Sequence, residues 1–221
     1  MLLQNPLSNP GVLSEKNECE TVTHSNLIFV VGGGPSISTI NINRLRGYRC
    51  IAVNNSYTIV PWAETLWFGD LRWWWWHREE LAKINMSIAT CCENQRIKSD
   101  IVDQSRLTFY SRDFRRYGIC TIKDRVCWNS NSGASAINLA YWMGAKTIIL
   151  LGFDMHFVKG QKNYHKDHPI KDGNPFKRHI KCFPFIKSDA QALGLTIINA
   201  TPGSAIIEFP ICTLEEFLNE L

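Results

Sequence analysis

Short apolar runs alternate along the chain with longer stretches of helical periodicity. The run at 27–31 is entirely apolar, and the run at 146–151 is the strongest strand candidate of the chain. Apolar runs of this length that end at glycine or asparagine are typical of buried parallel strands. The same pattern predicts further strands at 49–53, 65–68, 86–90, 107–110 and 195–199.

Helical periodicity fills the stretches between these runs. It predicts helices at 73–84, 135–143, 180–193 and 213–218. In the last of them Thr213 precedes the helix and Glu216 follows three residues later, which is a capping-box pattern. Strands that alternate with helices indicate an α/β fold, here a Rossmann-like domain with a mostly parallel sheet and helices on both faces. We assign that single domain to 26–221 and a flexible polar extension to 1–25.

Composition narrows the class of protein. With 45% hydrophobic residues among 221, the chain can bury one sizeable core. The net charge of +4 favours anionic ligands without requiring a nucleic acid. Eight cysteines occur without a CxxC pair, so neither a zinc site nor a disulfide framework is indicated. No signal-peptide pattern and no long apolar span are found, and we expect a cytoplasmic protein.

Polar and glycine residues follow most of the predicted strands, at the edge of the sheet where α/β proteins bind ligands. The sequence GGGPS comes directly after the first strand and comprises Gly32, Gly33, Gly34, Pro35 and Ser36. Glycines let the backbone approach a ligand closely and aim its N–H groups at an anion. The turn is neither the GxGxxG fingerprint nor a P-loop. A tight strand-to-helix turn without ligand is the alternative.

A second glycine-bearing turn precedes the helix predicted at 135–143. Asn131, Ser132 and Gly133 lie where a helix N-terminus presents unpaired N–H groups. They are candidates for binding a phosphate or a sugar hydroxyl. An ordinary N-cap is the alternative.

Residues 68–78 read FGDLRWWWWHR. Four consecutive tryptophans on a helix point in four directions, so some of them must face a ligand, a partner or the sheet. Asp70 lies at a strand end and is a candidate hydroxyl binder or general base, with His77 as its partner. The alternative is a packing helix with a charged edge.

The polar loop at 156–169 contains His156, Tyr164, His165 and His168. One of these histidines is a candidate general acid or base. The alternative is a metal that His165 and His168 share with Asp154 or Asp167. Their spacing matches no fixed pattern of metal ligands, and we predict no metal site.

Two of these turns resemble those of a known enzyme family. GGGPS resembles the GNGPS turn of the family 42 glycosyltransferases, bacterial sialyltransferases with a CMP-activated donor. The segment 131–155 resembles their TSG-helix-LGY-strand-SGxDF segment. The chain is also similar to the 6-hydroxymethylpterin pyrophosphokinase-like family. By pattern the resemblance covers about half of the chain, and it is strongest to uncharacterised phage and prophage proteins sharing GD-RWW-H, YH-DHP and NATPGSA.

The resemblance implies roles for particular residues. It implies that donor binding involves Gly32 to Ser36, Asn54 and the turn at 131–133. Asp154, after the strand at 146–151, is a further candidate for binding the donor. It places the base that deprotonates the acceptor hydroxyl at His168, with His165 as a rival. Tyr164 and His156 would assist the leaving phosphate, and the turn at 199–204 would close the nucleotide end. The sequence departs from the family at Gly33, where the family has asparagine, and at Gly69-Asp70 after the third strand.

We therefore expect a transferase, glycosyltransferase-like, that uses a nucleotide-activated donor and requires no cofactor. The acceptor is left open between a sugar and modified DNA, and a homo-oligomer is left open as well. One alternative is pyrophosphoryl transfer from ATP, with Mg²⁺ held by Asp70 and Asp154. Another is a non-enzymatic phage-encoded interaction factor that docks through the tryptophan-rich face.

Overall fold

The computed structural model describes residues 25–97, 102–114, 116–165 and 173–221. The extension assigned to 1–25 lies almost entirely outside these ranges. The strands are β1 Leu27–Val31, β2 Arg49–Val53, β3 Thr65–Phe68, β4 Ser87–Thr90, β5 Leu107–Phe109, β6 Ser111–Asp113, β7 Arg125–Cys127, β8 Thr147–Leu151 and β9 Thr196–Asn199. The helices are α1 Leu71–Lys83, α2 Asn94–Ile97, α3 Ser132–Trp142, α4 Phe176–His179, α5 Phe183–Ala192 and α6 Leu214–Asn219.

Seven strands form one sheet in the order β5-β4-β3-β2-β1-β8-β9. Every neighbouring pair is parallel, as the alternation of strands and helices predicted. The strand order reverses between β1 and β8, which pair from Leu27 with Thr147 to Val31 with Leu151. In open α/β sheets a crevice forms at such a reversal, just beyond the carboxyl ends of the strands.

Helices cover both faces of the sheet, as predicted. Ile28 and Val30 of β1 face one side and join a core with α3 and α5. Phe29 and Val31 face the other side and join a core with α1 and α6. Successive strand residues point to opposite faces, so strands buried on both sides are apolar throughout. That is why the apolar runs were readable in the sequence.

The predicted elements agree with the observed ones to within a few residues. The capping box at Thr213 and Glu216 is confirmed, with reciprocal hydrogen bonds at the start of α6. Pro184 is accommodated in the first turn of α5, where a missing N–H costs little. The sequence did not reveal β6 and β7, which pair with each other in a separate two-stranded parallel sheet. Each has three residues, too few for a period to be recognised.

The seven cysteines in the described part of the chain are free thiols. Burial raises the pKa of the Cys50, Cys91, Cys127 and Cys182 thiols to about 12. Thiols of this kind stay protonated at neutral pH and pack as small apolar groups. Within the described ranges every helix is too short or too polar to cross a membrane.

A buried asparagine connects β7 to the neighbouring loop. The Asn138 side chain on α3 is fully buried; its Oδ1 accepts from the backbone N–H groups of Cys120 (2.7 Å) and Cys127 (2.9 Å). Its Nδ2 donates to the carbonyl of Cys120 at 3.1 Å. One side chain therefore satisfies three backbone groups that water does not reach.

Replacing this asparagine tests how much that arrangement contributes. We expect Asn138→Ala to lower the free energy of unfolding by about 3 kcal/mol, because buried backbone groups lose their partners. Asn41→Ala is the matched control, since Asn41 is exposed and its side chain makes no capping bond. Chemical denaturation measures both, and equal effects of the two substitutions would contradict the interpretation.

Candidate functional site at the carboxyl end of the sheet

A cavity of about 650 Å³ lies beyond the carboxyl ends of β1, β2 and β8, at the reversal of strand order. Its volume is within the range typical of small-molecule sites. The turn after each of these strands contributes to the wall, and so do the start of α3 and the residues around α4. The candidates from the sequence that line it are Gly32, Gly33, Gly34, Asn54, Asp70, Asn131, Ser132, Gly133, Asp154 and His165.

The turns after β1 and β8 interlock at the floor of this cavity. Gly32 N–H donates to the carbonyl of Leu151 (2.7 Å), and Gly34 N–H donates to the carbonyl of Gly152 (2.9 Å). A Cβ on Gly32 would lie 2.8 Å from the Gly152 oxygen, and one on Gly34 would lie 2.5 Å from it. The two outer glycines are therefore required by contact between two backbones. The sequence had suggested that their N–H groups face an anion; instead, both donate to backbone carbonyls of the neighbouring turn.

Ser36 and Asp154 complete this interlock. The Asp154 carboxylate is buried and accepts from the Ser36 hydroxyl at 2.8 Å and from the Ser36 N–H at 3.2 Å. Pro35 begins the short 3₁₀ turn that carries Ser36, in the position where proline is favoured. The predicted phosphate donor Ser36 is thus engaged by a carboxylate, and Asp154 serves first to join the two turns.

Gly33 differs from its two neighbours. An added Cβ would meet only Asn163 Oδ1, at 3.9 Å, so the position opens toward the cavity. Its carbonyl accepts from the Tyr164 N–H at 3.0 Å, and among the described residues nothing accepts from its own N–H. Of the N–H groups that the sequence predicted to face an anion, the one of Gly33 remains available to a ligand.

The start of α3 is capped by the protein itself. Asn131 Oδ1 accepts from the N–H groups of Gly133 (2.9 Å) and Ala134 (3.4 Å). Asn131 is therefore an N-cap, the alternative left open by the sequence, while Ser132 and Gly133 still border the cavity.

Three of the six non-glycine residues with left-handed φ in the described ranges line this cavity. Asn54, Ser130 and Met155 line it with φ angles of 51°, 53° and 55°, in the left-handed region that L-residues rarely adopt. In addition, Asn54 Oδ1 is buried with no hydrogen-bond partner in the described part of the chain. A buried acceptor without a donor costs stability, and such features cluster at functional sites.

The tryptophan run divides between core and surface. Trp73 and Trp74 are buried in the core on the α1 side of the sheet, whereas Trp75 and Trp76 are 46% and 40% exposed. Trp76 reaches the cavity, as does one edge of Trp73. The helical spacing predicted this division, although it did not indicate which ring faced which side.

Asp70 begins α1 and pairs with Arg72. Its carboxylate accepts from the Arg72 N–H at 2.9 Å and lies 2.8 Å from the Arg72 guanidinium. Burial alone would raise the pKa of Asp70, but the hydrogen bonds from Arg72 and the nearby charges lower it below its usual value. Asp70 is thus an ionised cap, weakly basic, while its predicted partner His77 stacks on Trp73 with ring centroids 4.6 Å apart.

The loop after β8 places its candidates in different surroundings. Tyr164 does not line the cavity; its hydroxyl donates to the Asn55 carbonyl (2.7 Å) and contacts the Thr58 hydroxyl (2.9 Å). The ring nitrogens of exposed His156 lie 2.9 Å from the carbonyls of Phe157 and Gly203. Neither Tyr164 nor His156 lines the cavity. His168 and Asp167 lie outside the described residues.

Sequence reasoning missed His179 and its neighbour Arg178, which both line the cavity at the end of α4. Arg178 Nη2 lies 3.4 Å from His179 Nε2. Burial, together with the charge of Arg178, lowers the pKa of His179 to about 4. The imidazole is therefore neutral at physiological pH. The sequence of α4, FKRH, gives no periodic or motif signal that would have identified it.

Cations predominate over unpaired acids on the cavity wall. Lys162 and Arg178 contribute positive charge, whereas Asp70 is paired with Arg72 and Asp154 is bonded to Ser36. Among the described residues no group of three metal-ligating side chains occurs. The cavity favours an anionic ligand with several hydrogen-bonding groups.

Comparison with known proteins identifies the architecture. No protein-family model matches the sequence, and no curated protein matches it. Among solved structures it is similar to the sialyltransferase CstII from Campylobacter jejuni, in complex with the substrate analogue CMP-3FNeuAc. The TM-score is 0.50 at 12% sequence identity, over 85% of this chain and 86% of that one. The chain has a glycosyltransferase-like fold. At this identity the likeness establishes the fold alone.

The interlocked glycines provide a matched pair of substitutions. We expect Gly34→Ala to lower the free energy of unfolding by about 2 kcal/mol, because the new methyl overlaps the Asp154 carboxylate and the Gly152 carbonyl. Gly33→Ala has room, and we expect a change within about 0.5 kcal/mol. Thermal or chemical denaturation measures the difference. Equal destabilisation by both would mean that the interlock does not govern this turn.

Asn54 and Asn129 provide a second matched pair of substitutions. We expect Asn54→Gly to raise the free energy of unfolding by about 1 kcal/mol, because glycine tolerates the left-handed backbone and the unpartnered oxygen is removed. Asn129 has a similar φ of 58°, but its side chain bonds both backbone groups of Gly118, at 2.8 and 3.0 Å. Asn129→Gly should therefore destabilise. Loss of stability in the Asn54 variant would show that its side chain is satisfied in the native protein.

Proposed function

We propose that this protein is a glycosyltransferase that binds a nucleotide-sugar donor in the cavity at the reversal of strand order. The observation that carries the proposal is the combination, in one cavity, of three strained residues and an unpartnered Asn54 oxygen. Asn54 Oδ1 suits a hydroxyl or amino donor on the ligand, and Gly33 N–H, Lys162 and Arg178 suit its phosphate. The glycosyltransferase-like fold, solved elsewhere with a CMP-sugar analogue, supports the same class of donor.

The residue best placed to act as base is His179. It lines the cavity and lies four residues before α5, the late helix that leads into β9. The resemblance to the family 42 enzymes implies a histidine base ahead of this helix, a position that the sequence had assigned to His168. His165 also lines the cavity and remains a rival.

The proposed step is a direct displacement. The acceptor hydroxyl gives its proton to His179 Nε2 in place of the long contact from Arg178 (3.4 Å). The acceptor oxygen forms a bond to the anomeric carbon as the bond between that carbon and the phosphate oxygen breaks. The nucleotide leaves with the electron pair as a phosphate anion, and Lys162 and Arg178 stabilise the added charge.

Pyrophosphoryl transfer is less well supported by the contacts in the cavity. Its two candidate metal ligands are already engaged, Asp70 by Arg72 and Asp154 by Ser36. A Mg²⁺ site would require both carboxylates to exchange those partners for the ion. We therefore retain sugar transfer as the proposal.

Ligand binding tests the proposal before any acceptor is known. We expect CMP, CDP or a related nucleotide sugar to raise the thermal midpoint of unfolding in the presence of a chelator. The shift should fall in Asn54→Gly and persist in Asn41→Ala. A response restricted to ATP with Mg²⁺ would overturn the proposal in favour of phosphoryl transfer.

The pH dependence of the reaction distinguishes His179 from its rivals. A base must be neutral, so with a pKa of about 4 the acid limb of kcat/KM should lie near pH 4. A histidine of ordinary pKa would place the limb near about pH 6.5. We expect His179→Gln to lower kcat by about 100-fold or more, within the range for general-base catalysis. Turnover that survives in this variant but is lost in His165→Gln or His168→Gln would reassign the base.

The same pKa has a consequence for stability that needs no substrate. Between about pH 6.5 and pH 4 the unfolded chain binds a proton at His179 that the folded protein does not. The free energy of unfolding therefore decreases as the pH falls through this window. We expect His179→Gln to reduce that decrease, as denaturation at pH 7 and pH 5 would show.

A further inference from the structure

A second cavity adjoins the first at the carboxyl end of the sheet. Its volume is about 740 Å³, and it lies beyond β3 and β4, beside the crossing from β5 into the small second sheet. Asp70, Arg72, Trp128, Ser130 and Arg178 line both cavities. A molecule in the second cavity would therefore meet a molecule in the first across these shared residues.

Arginines predominate in the wall of the second cavity. It contains Arg72, Arg96, Arg112 and Arg178, against the two acids Asp70 and Glu93. Arg72 and Asp70 neutralise each other in their ion pair. The remaining wall is thus positively charged, in a protein whose overall net charge is only +4.

Arg112 is the fixed member of this group. Its Nε donates to the carbonyl of Cys91 at 3.1 Å, and its Nη2 donates to the carbonyl of Gly69. Its guanidinium also stacks over the Trp128 ring, 4.2 Å from the centroid. Neutral carbonyls and an aromatic face position a guanidinium without cancelling its charge.

The charge of Arg112 acts on its surroundings. It contributes to lowering the pKa of Asp70, after the effects of burial and of Arg72. Among the described residues no acceptor contacts Arg112 Nη1, whose two N–H groups are therefore available. An N–H of a charged guanidinium donates a strong hydrogen bond to an oxygen of a carboxylate or a phosphate.

Aromatic rings form the rest of the wall. Phe109, Tyr110, Phe114 and Trp128 line the cavity, and Phe114 is 72% exposed beside the Arg112 guanidinium, 5.3 Å from its ring centroid. An exposed aromatic ring next to a fixed cation suits a ligand with both an apolar face and an anionic substituent. A sugar ring that bears a carboxylate or a phosphate has this combination.

We propose that the second cavity binds the acceptor, and that the acceptor is an anionic sugar whose carboxylate or phosphate group pairs with Arg112 and Arg96. This inference rests on the proposed glycosyltransferase function. The acceptor's hydroxyl lies toward the shared residues, where Arg178 places it beside His179 and the donor.

Binding of simple sugars tests this proposal. We expect glucuronate and glucose 6-phosphate to shift backbone amide resonances of the intact protein around 109–114 and 128, whereas neutral glucose at the same concentration does not. Comparison of the first two probes shows whether the carboxylate or the phosphate is preferred. Equal binding of glucose, or no binding of either anionic sugar, would overturn the proposal.

The chain offers a matched control for the arginine. Arg106 is also half-buried and donates to two backbone carbonyls, those of Met86 (3.1 Å) and Leu81 (3.2 Å), but it lies outside the cavity. We expect Arg112→Gln to weaken binding of the anionic sugar about tenfold, as expected for one lost charged hydrogen bond, and Arg106→Gln to leave it unchanged. Equal weakening by both would indicate a general charge effect and overturn the site.

Two further variants keep the proposal testable if Arg112→Gln disturbs the fold. Arg96→Gln removes an exposed charge and should weaken binding without loss of structure, and Arg112→Lys should recover part of the affinity. Binding at unchanged affinity in Arg96→Gln and Arg112→Gln alike would overturn the assignment. The outcome is separable from that for the donor: a nucleotide response without sugar binding refutes this inference alone, whereas sugar binding without a nucleotide response refutes the donor site and, with it, the acceptor role of the second cavity.

Discussion

The interlock between the turns after β1 and β8 determines the rest of the site. Two glycine N–H groups donate to carbonyls across the reversal of strand order, and Ser36 closes the contact on the buried carboxylate of Asp154. Side chains at Gly32 or Gly34 would separate the two turns. The two turns, held together in this way, form the floor of the cavity beyond the strand ends.

Around that floor the protein accepts local costs in backbone conformation and hydrogen bonding. Left-handed φ angles occur at Asn54, Ser130 and Met155, and the Asn54 amide oxygen is buried without a partner in the described part of the chain. The contrast with Asn129 is informative, since that residue has a similar φ but uses its side chain to bind Gly118. The unusual conformation alone is compatible with a structural role, and Asn54 differs from Asn129 in that its amide oxygen has no partner among the described residues.

The two cavities share a boundary, and the titratable side chains on its two sides differ in charge. Beside the first cavity, burial and the charge of Arg178 keep His179 neutral, which the proposed role as a base requires. Beside the second cavity, Arg112 is held by neutral carbonyls and by the Trp128 ring. Arg178 borders both cavities, so one side chain connects the proposed base with the proposed acceptor site. A transferase needs this proximity, because its two substrates must react without intervening water.

The sequence by itself determined the seven strands of the main sheet, four of the helices and the edge of the sheet at which the first cavity lies. Apolar runs such as 27–31 are readable because a central parallel strand is buried on both faces, and the capping box at Thr213 is a local pattern. Hydrogen-bond direction and side-chain orientation were decided only by the tertiary structure. GGGPS has the composition of an anion-binding turn, yet two of its N–H groups donate to the neighbouring turn. Tyr164 and His156 bond backbone carbonyls instead of lining the cavity. His179 and Arg112 carry no sequence motif, because their positions depend on contacts between segments distant in the chain.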